Sequence, residues 1–221
     1  MVMWAEFAAA FGFFFLSHAV PVRPRVKASL VARIGSHGFG VAYGLLSVSA
    51  LAWVISAAGR APYVELWPTY SWQRYAVWGA MLVACQLIAF TLARPNPFSF
   101  GGYRNAAFDP ARAGLIRAHR HPLLLALALW AGAHLLANGD LVHAIVFGSF
   151  AAFALLGGRM IDRRKQREMG EAWQRLWEQT RTTQQIRLPF SAIALRAGGG
   201  VALFALLLSL HQTVIGVSPL P

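Results

Sequence analysis

Only one cysteine, Cys85, stands in the chain, so an intrachain disulfide and a CxxC metal or redox site are both excluded. Acidic side chains are scarce as well, eight Asp and Glu against 20 Lys and Arg. None of the acids lies deep in an apolar stretch, although Gln86 does, which leaves a proton relay or cation pathway without buried carboxylates and argues against an ion-coupled transporter. Neither a Walker A sequence nor a GxGxxG run occurs. The run Gly198-Gly199-Gly200 opens the last apolar stretch and is read as a point of close helix packing rather than a phosphate cradle. Charged residues make up only 13% of the chain and apolar residues 57%, with a mean hydropathy of +0.50, a composition whose solvent is lipid. A formal net charge of +12 would point to nucleic acid in a soluble protein. Here the bases sit in short tracts between apolar stretches, so the charge is read as membrane topology and no nucleic-acid partner is expected.

What the chain does have is six apolar stretches, and about 20 such residues cover the roughly 30 Å of bilayer hydrocarbon. They run over Trp4–Val20, His37–Ala58, Trp72–Ala93, Pro122–Ala137, Leu141–Gly158 and Ala192–Val217. The first, fourth and fifth are short, which a small tilt and snorkelling ends accommodate. Glu6 stands where a signal peptide would carry basic residues, and the first stretch runs into a basic, proline-rich segment without a small-residue cleavage site, so it is expected to be retained. Asn138-Gly139-Asp140 alone separates the fourth and fifth stretches, turn chemistry that predicts an antiparallel helical hairpin. Eighteen of the 20 Lys and Arg fall in or beside the connections after the first, third and fifth spans; only Arg60 and Arg74 lie elsewhere. The positive-inside rule then predicts those connections in the cytoplasm and both termini outside it. Trp67, Tyr70 and Trp72 form an aromatic belt on the outer side. The predicted fold class is all-α, a polytopic membrane helical bundle of about six transmembrane helices with periplasmic termini, one transmembrane domain over 1–221 in contact with membrane lipid.

Two inner segments carry further expectations. The RPNPFSFGGY run from Arg94 holds too many helix breakers to extend the third span and is predicted to be a loop. Within the tract at about 159–191, charged residues alternate with Met169, Trp173, Leu176 and Trp177, which predicts an amphipathic helix over Asp162–Thr183 lying on anionic headgroups.

The seven histidines are mostly at membrane depth. His18, His37 and His121 fall within a few residues of the inner ends of spans one, two and four, with His119 just beyond. His134, His143 and His211 each lie some four to six residues from an outer end, about 6 to 9 Å below that surface at 1.5 Å per residue. Two layers of imidazole result, and imidazole offered from two helices at one depth is a means of holding haem iron or a transition metal. The structural alternative for each is an ordinary interfacial or hydrogen-bonded histidine.

The segments SHAVPVRPRVKASLVARIGSHGFGVAYGLLS, APYVELWP and RHPLLLALALWAGAHLLANGDLVHAIVFGSF, with Leu129–Asp140 the most specific, resemble the NnrU family of bacterial membrane proteins. The resemblance implies a bacterial inner membrane, a link to denitrification through nitrite and nitric oxide, and kinship with plant ζ-carotene isomerase, a haem b protein acting on a carotenoid. It further implies His18 and His134 as haem and metal ligands, while the cysteine proposed as an alternative ligand three residues before the second histidine is Ala131 here. Simple topology sets His18 and His134 about 15 Å apart in depth, whereas a layer-matched ligand set pairs His18 with His121 or His37 and His134 with His143 or His211. The implied function is that of a redox-linked isomerase of a hydrophobic substrate such as a carotenoid, or of an accessory of nitrogen-oxide metabolism.

Arg120-His121-Pro122, opening a span ahead of a hairpin and a charged helix, also resembles membrane methyltransferases of the isoprenylcysteine carboxyl type. Their S-adenosylmethionine site would join this motif to a downstream acidic pair, but the sequence there reads RMIDRRKQRE. Arg120 and His121 are accordingly read as interfacial anchors and Pro122 as a first-turn proline. A non-catalytic assembly or scaffold protein is the remaining alternative.

Overall fold

Proline and glycine set where the helices begin and break. The computed structural model describes residues 2–100 and 102–220; Met1, Gly101 and Pro221 lie outside the described residues. Among the described residues there are eight α-helices, two short 3-10 turns and no strand. Five of the helices are long and apolar enough to cross a membrane: α1 (Val2–Ala19), α2 (Pro24–Arg60), α3 (Ser71–Thr91), α6 (Leu141–Met169) and α8 (Phe190–Ile215). A sixth apolar helix, α5 (Pro122–Ala137), has 16 residues, about 24 Å of rise. The six predicted spans thus correspond one to one with helices, and the protein is a polytopic membrane helical bundle. Two helices lie outside the spans, α4 (Leu115–Ala118) and α7 (Glu171–Thr182).

The chain forms two compact units. Unit 1 comprises the residues up to Leu66 together with Asp140–Val142. In it α1 and α2 pair antiparallel, tied by Glu6 to Arg60 at one end, Phe13 against Trp53 at 5.7 Å and the Tyr43 hydroxyl donating to the His18 carbonyl at the other. The basic tract expected to be a connection is itself helical, because Pro24 sits in the first turn of α2, where its missing N–H is no loss. At Gly35 the backbone turns to φ 73°, ψ 166°, a conformation essentially reserved for glycine, and the span proper follows. Beyond α2, Glu65 pairs with Asp140 in an isolated antiparallel bridge, and the Leu141 N–H donates to the Val64 carbonyl at 2.9 Å.

Unit 2 holds Trp67–Gly139 and the chain from His143. Here α3 packs on both α5 and α8. The end of the Gln86 side chain on α3 lies against Gly200 of α8, where a Cβ would come within 2.6 Å of it, while Gln86 Nε2 donates to the Ala197 carbonyl. This is the close packing expected of the glycine run. The predicted hairpin is present: Trp130 stacks on Phe150 at 5.8 Å near the turn, and Leu124 and His121 face Gly157 and Gly158 at the other end. Its turn is closed by Trp67, whose N–H donates to the Gly139 carbonyl and whose Nε1 donates to the Leu136 carbonyl.

At the polar end of unit 2 the described residues of the RPNPFSFGGY segment, all but Gly101, form a loop, as expected, organised by the buried Asn96. Its Oδ1 accepts from the Phe98 N–H, and its Nδ2 donates to the Arg120 carbonyl at 2.9 Å. The amphipathic helix differs from expectation. α6 continues unbroken through the charged residues to Met169, the chain turns at Gly170 (φ 57°), and α7 turns its apolar face inward. Trp173 is 5% exposed and packs with Phe98, Ala113 and Ile116, flanked by Phe108, Met169, Leu176 and Trp177. Protein covers that face where lipid headgroups were expected, because the loop supplies aromatic partners that sequence spacing does not reveal.

Candidate functional site

Two groups of residues in unit 2 carry chemistry. The first is built on α5 and α6 at the polar end. Ahead of Pro122 stands the N-cap His121 (φ −121°, ψ 58°), which turns its ring inward between two partners. His121 Nε2–H donates to Asp162 Oδ1 at 3.0 Å, and Nδ1 accepts from the Ser99 hydroxyl at 2.9 Å. That assignment follows from chemistry, since a carboxylate can only accept. Arg120 takes the same carboxylate with both arms, Nε to Oδ1 at 3.1 Å and Nη2 to Oδ2 at 2.6 Å, and lies over the rings of Trp173 and Trp177 at 5.3 and 4.6 Å. Burial pushes the His121 imidazole below its ordinary value, outweighing the opposing pull of Asp162, so it is held neutral. The interfacial-anchor reading of Arg120 and His121 is therefore corrected: His121 is 5% exposed and both side chains are committed to Asp162. Asp162, Ser99 and Asn96 were missed by the sequence reading. The one signal for Asp162 was an isolated acid inside a basic run. Beside this network a cavity of about 200 Å³ is lined by the polar His119, Arg120, His121, Arg159 and Asp162 and by the apolar Leu124, Leu125, Ala128, Ala154 and Leu155.

The second group lies toward the other end of α5. His134 Nδ1 donates to the Trp130 carbonyl one turn earlier at 2.8 Å, and His211 Nδ1 donates to the Val217 carbonyl at 2.8 Å. A carbonyl fixes each tautomer, leaving both Nε2 lone pairs for another partner. The two rings stand 6.5 Å apart, centre to centre, and within 23° of parallel. His143 stacks on Phe147 at 6.0 Å, and the same Phe147 contacts His134 at 5.1 Å. Of the outer layer read from the sequence, the structure thus joins His134 directly to His211, with Phe147 touching both His134 and His143. The inner layer is divided. His18 and His37 belong to unit 1 and His121 to unit 2; His37 is exposed, and His121 is occupied as described. His18 repeats the local arrangement of His134: its Nδ1 donates to the Phe14 carbonyl four residues back at 2.7 Å, with the Phe14 ring 4.1 Å away. Among the described residues no cluster of three or more His, Cys, Asp or Glu with metal-binding geometry occurs.

No curated protein matches the chain, and no solved structure does. A family model described as NnrU protein matches residues 6–219, nearly the whole chain across both units. Hairpin turn, paired helices and polar-end network all fall inside that match, and the chain belongs to the NnrU family.

Proposed function

We propose that this protein binds haem b between His134 and His211 and acts in a bacterial inner membrane as a redox-linked isomerase of a hydrophobic, conjugated substrate of the carotenoid kind. The carrying observation is the His134–His211 pair. Two imidazoles sharing one iron stand roughly 6 Å apart between ring centres, given about 2 Å for each metal–nitrogen bond and about 1 Å from nitrogen to centre. The ring centres here stand 6.5 Å apart, a spacing of that order. The donor set fits in a second respect, because histidine ligands as a rule commit their other ring nitrogen to a carbonyl or carboxylate, as both do here. When bound, such a group supplies a one-electron couple at iron and, if one ligand is withdrawn, an open position for a small molecule. The residues' own part is to fix the tautomers and set the rings on apolar helices, where Trp130 and Phe147 pack on His134. Binding of nitric oxide at such an open position would serve the other role attached to the family, as an accessory of nitrogen-oxide metabolism.

Absorption spectra of protein expressed with ample haem, oxidised and reduced, test the reading. Wild type is expected to show a low-spin Soret band, and His134→Ala and His211→Ala each to lose it. His37→Ala, His121→Ala and His143→Ala are expected to leave it unchanged. If His18→Ala abolishes the band while His211→Ala does not, the pair implied by the family resemblance replaces the one proposed. A colourless wild type returns the protein to the scaffold alternative.

A further inference from the structure

We infer that the cavity between the polar halves of α5 and α6 is a binding site for an amphiphile with an anionic head and a short apolar segment behind it. The inference stands apart from the haem reading: the lining of the cavity on α5 ends at Ala128, six residues before His134, about 9 Å along the helix axis, and includes none of the paired histidines.

The charge of the site decides the head. Asp162 is the acid in its wall, and Arg120 and His121 already occupy both its oxygens. Arg120 and Asp162 cancel one another and His121 is neutral, so Arg159 supplies the uncompensated charge, and no ion pair engages it among the described residues. His119 adds a donor. Its Nδ1 accepts from the His121 N–H at 3.2 Å, which leaves the hydrogen on Nε2. The first turn of α5 adds the positive end of a helix with no side chain capping it. Cation, imidazole N–H and helix terminus line a single cavity together with an apolar wall of leucine and alanine. A free inorganic anion would leave that wall wet, and an uncharged lipid tail would leave Arg159 without a partner. An anionic amphiphile satisfies both. Some 200 Å³ corresponds to about seven waters of liquid volume, room for a phosphate or carboxylate head and the first few carbons, with the remainder continuing outward past Leu155, which is exposed.

Alkyl phosphates test this on the full chain in discs of zwitterionic lipid, by titration calorimetry corrected for empty discs. Hexyl phosphate should bind saturably and at least tenfold more tightly than inorganic phosphate, affinity rising about three- to fourfold per methylene from ethyl upward until the cavity is filled. Hexanol should not bind. Arg159→Gln should weaken hexyl phosphate tenfold or more and Arg159→Lys should keep most of the affinity. Leu155→Trp should flatten the chain-length dependence while the Trp173 and Trp177 emission of the Arg159 variants, identical to wild type, shows the polar-end cluster intact. Phosphatidic acid in the discs competes if the ligand is a bilayer lipid and fails to compete if it is a free alkyl phosphate. Equal affinity for inorganic and hexyl phosphate, equal affinity for hexanol, or no loss in Arg159→Gln would each overturn the proposal.

Discussion

Asp162 sits where two charges of opposite sign and one neutral ring have to be reconciled out of water, and its two oxygens are fully subscribed by Arg120 and His121. Removing it strands the Arg120 guanidinium, whose side chain is 27% exposed. Asp162→Ala is expected to cost about 2–4 kcal/mol, somewhat under the roughly 3–5 kcal/mol of a fully buried pair because Arg120 keeps some solvent, measured as denaturant unfolding in detergent. His121 makes the same network sensitive to acid. Its folded pKa lies below the ordinary 6.5 because of burial, so the unfolded chain binds the proton first, and the stability is full above about pH 6.5 and drains away as pH falls toward the folded value. Melting temperature should therefore drop between pH 7 and pH 5, and His121→Gln should flatten that slope. The occupied carboxylate bears on the methyltransferase alternative as well: no acid is left to receive the cofactor's cationic groups, and S-adenosylmethionine should show no micromolar binding by calorimetry. Micromolar binding that vanishes in His121→Ala would restore that alternative. Sequence made Arg120, His121 and Pro122 conspicuous but concealed their purpose. The partner acid lies 42 residues away from Arg120 and is embedded among arginines, whose combined signal is one of charge.

Among the helices, glycine positions separate contact from composition. Gly198, Gly199 and Gly200 read alike in sequence, yet a Cβ meets nothing within 4 Å at the first two and runs into Gln86 at the third. Gly200→Val is thus expected to push the Gln86 amide off the Ala197 carbonyl and to lose about 1 kcal/mol, the worth of a typical hydrogen bond, whereas Gly199→Ala should be neutral or slightly stabilising; denaturant titration of the two variants compares them directly. At Gly35 the reason is backbone rather than space, since nothing lies near its Cβ position but φ is +73°. There even Gly35→Ala should cost about 1–3 kcal/mol. The number and order of the apolar helices were legible because about 20 apolar residues in a row have few other uses. The course of the basic tract after α1 was not, since charge says nothing against a helix and Pro24 favours one. The inward face of α7 was hidden for a different reason: a stripe of Trp and Leu at helical spacing fits a headgroup layer and a loop of aromatics equally well, and only the fold brings Phe98 beneath Trp173.

Over the whole molecule the distribution of basic residues remains the guide to orientation. Eighteen of 20 Lys and Arg lie in or beside the odd-numbered connections, so we expect reporters that work only outside the cytoplasm to be active when fused at the C-terminus and silent near Arg175. Active fusions near Arg175 would invert the protein in its membrane. The seven histidines were legible as layers, and the outer one proved to contain a true neighbour pair, His134 and His211. Of the inner one, His18 and His37 fall in one unit and His121 in the other, and depth in a bilayer is one coordinate that says nothing of which helices adjoin. Neither unit is a continuous stretch of chain, and unit 1 includes Asp140–Val142, which are synthesised some seventy-odd residues after Leu66. At about 5–20 residues per second a ribosome takes about 4–15 s to cover that distance. Through that interval the carbonyl of Val64 has no Leu141 to receive from, so the first unit of a nascent chain waits, incomplete, on the delivery of three residues from the far side of a hairpin not yet made.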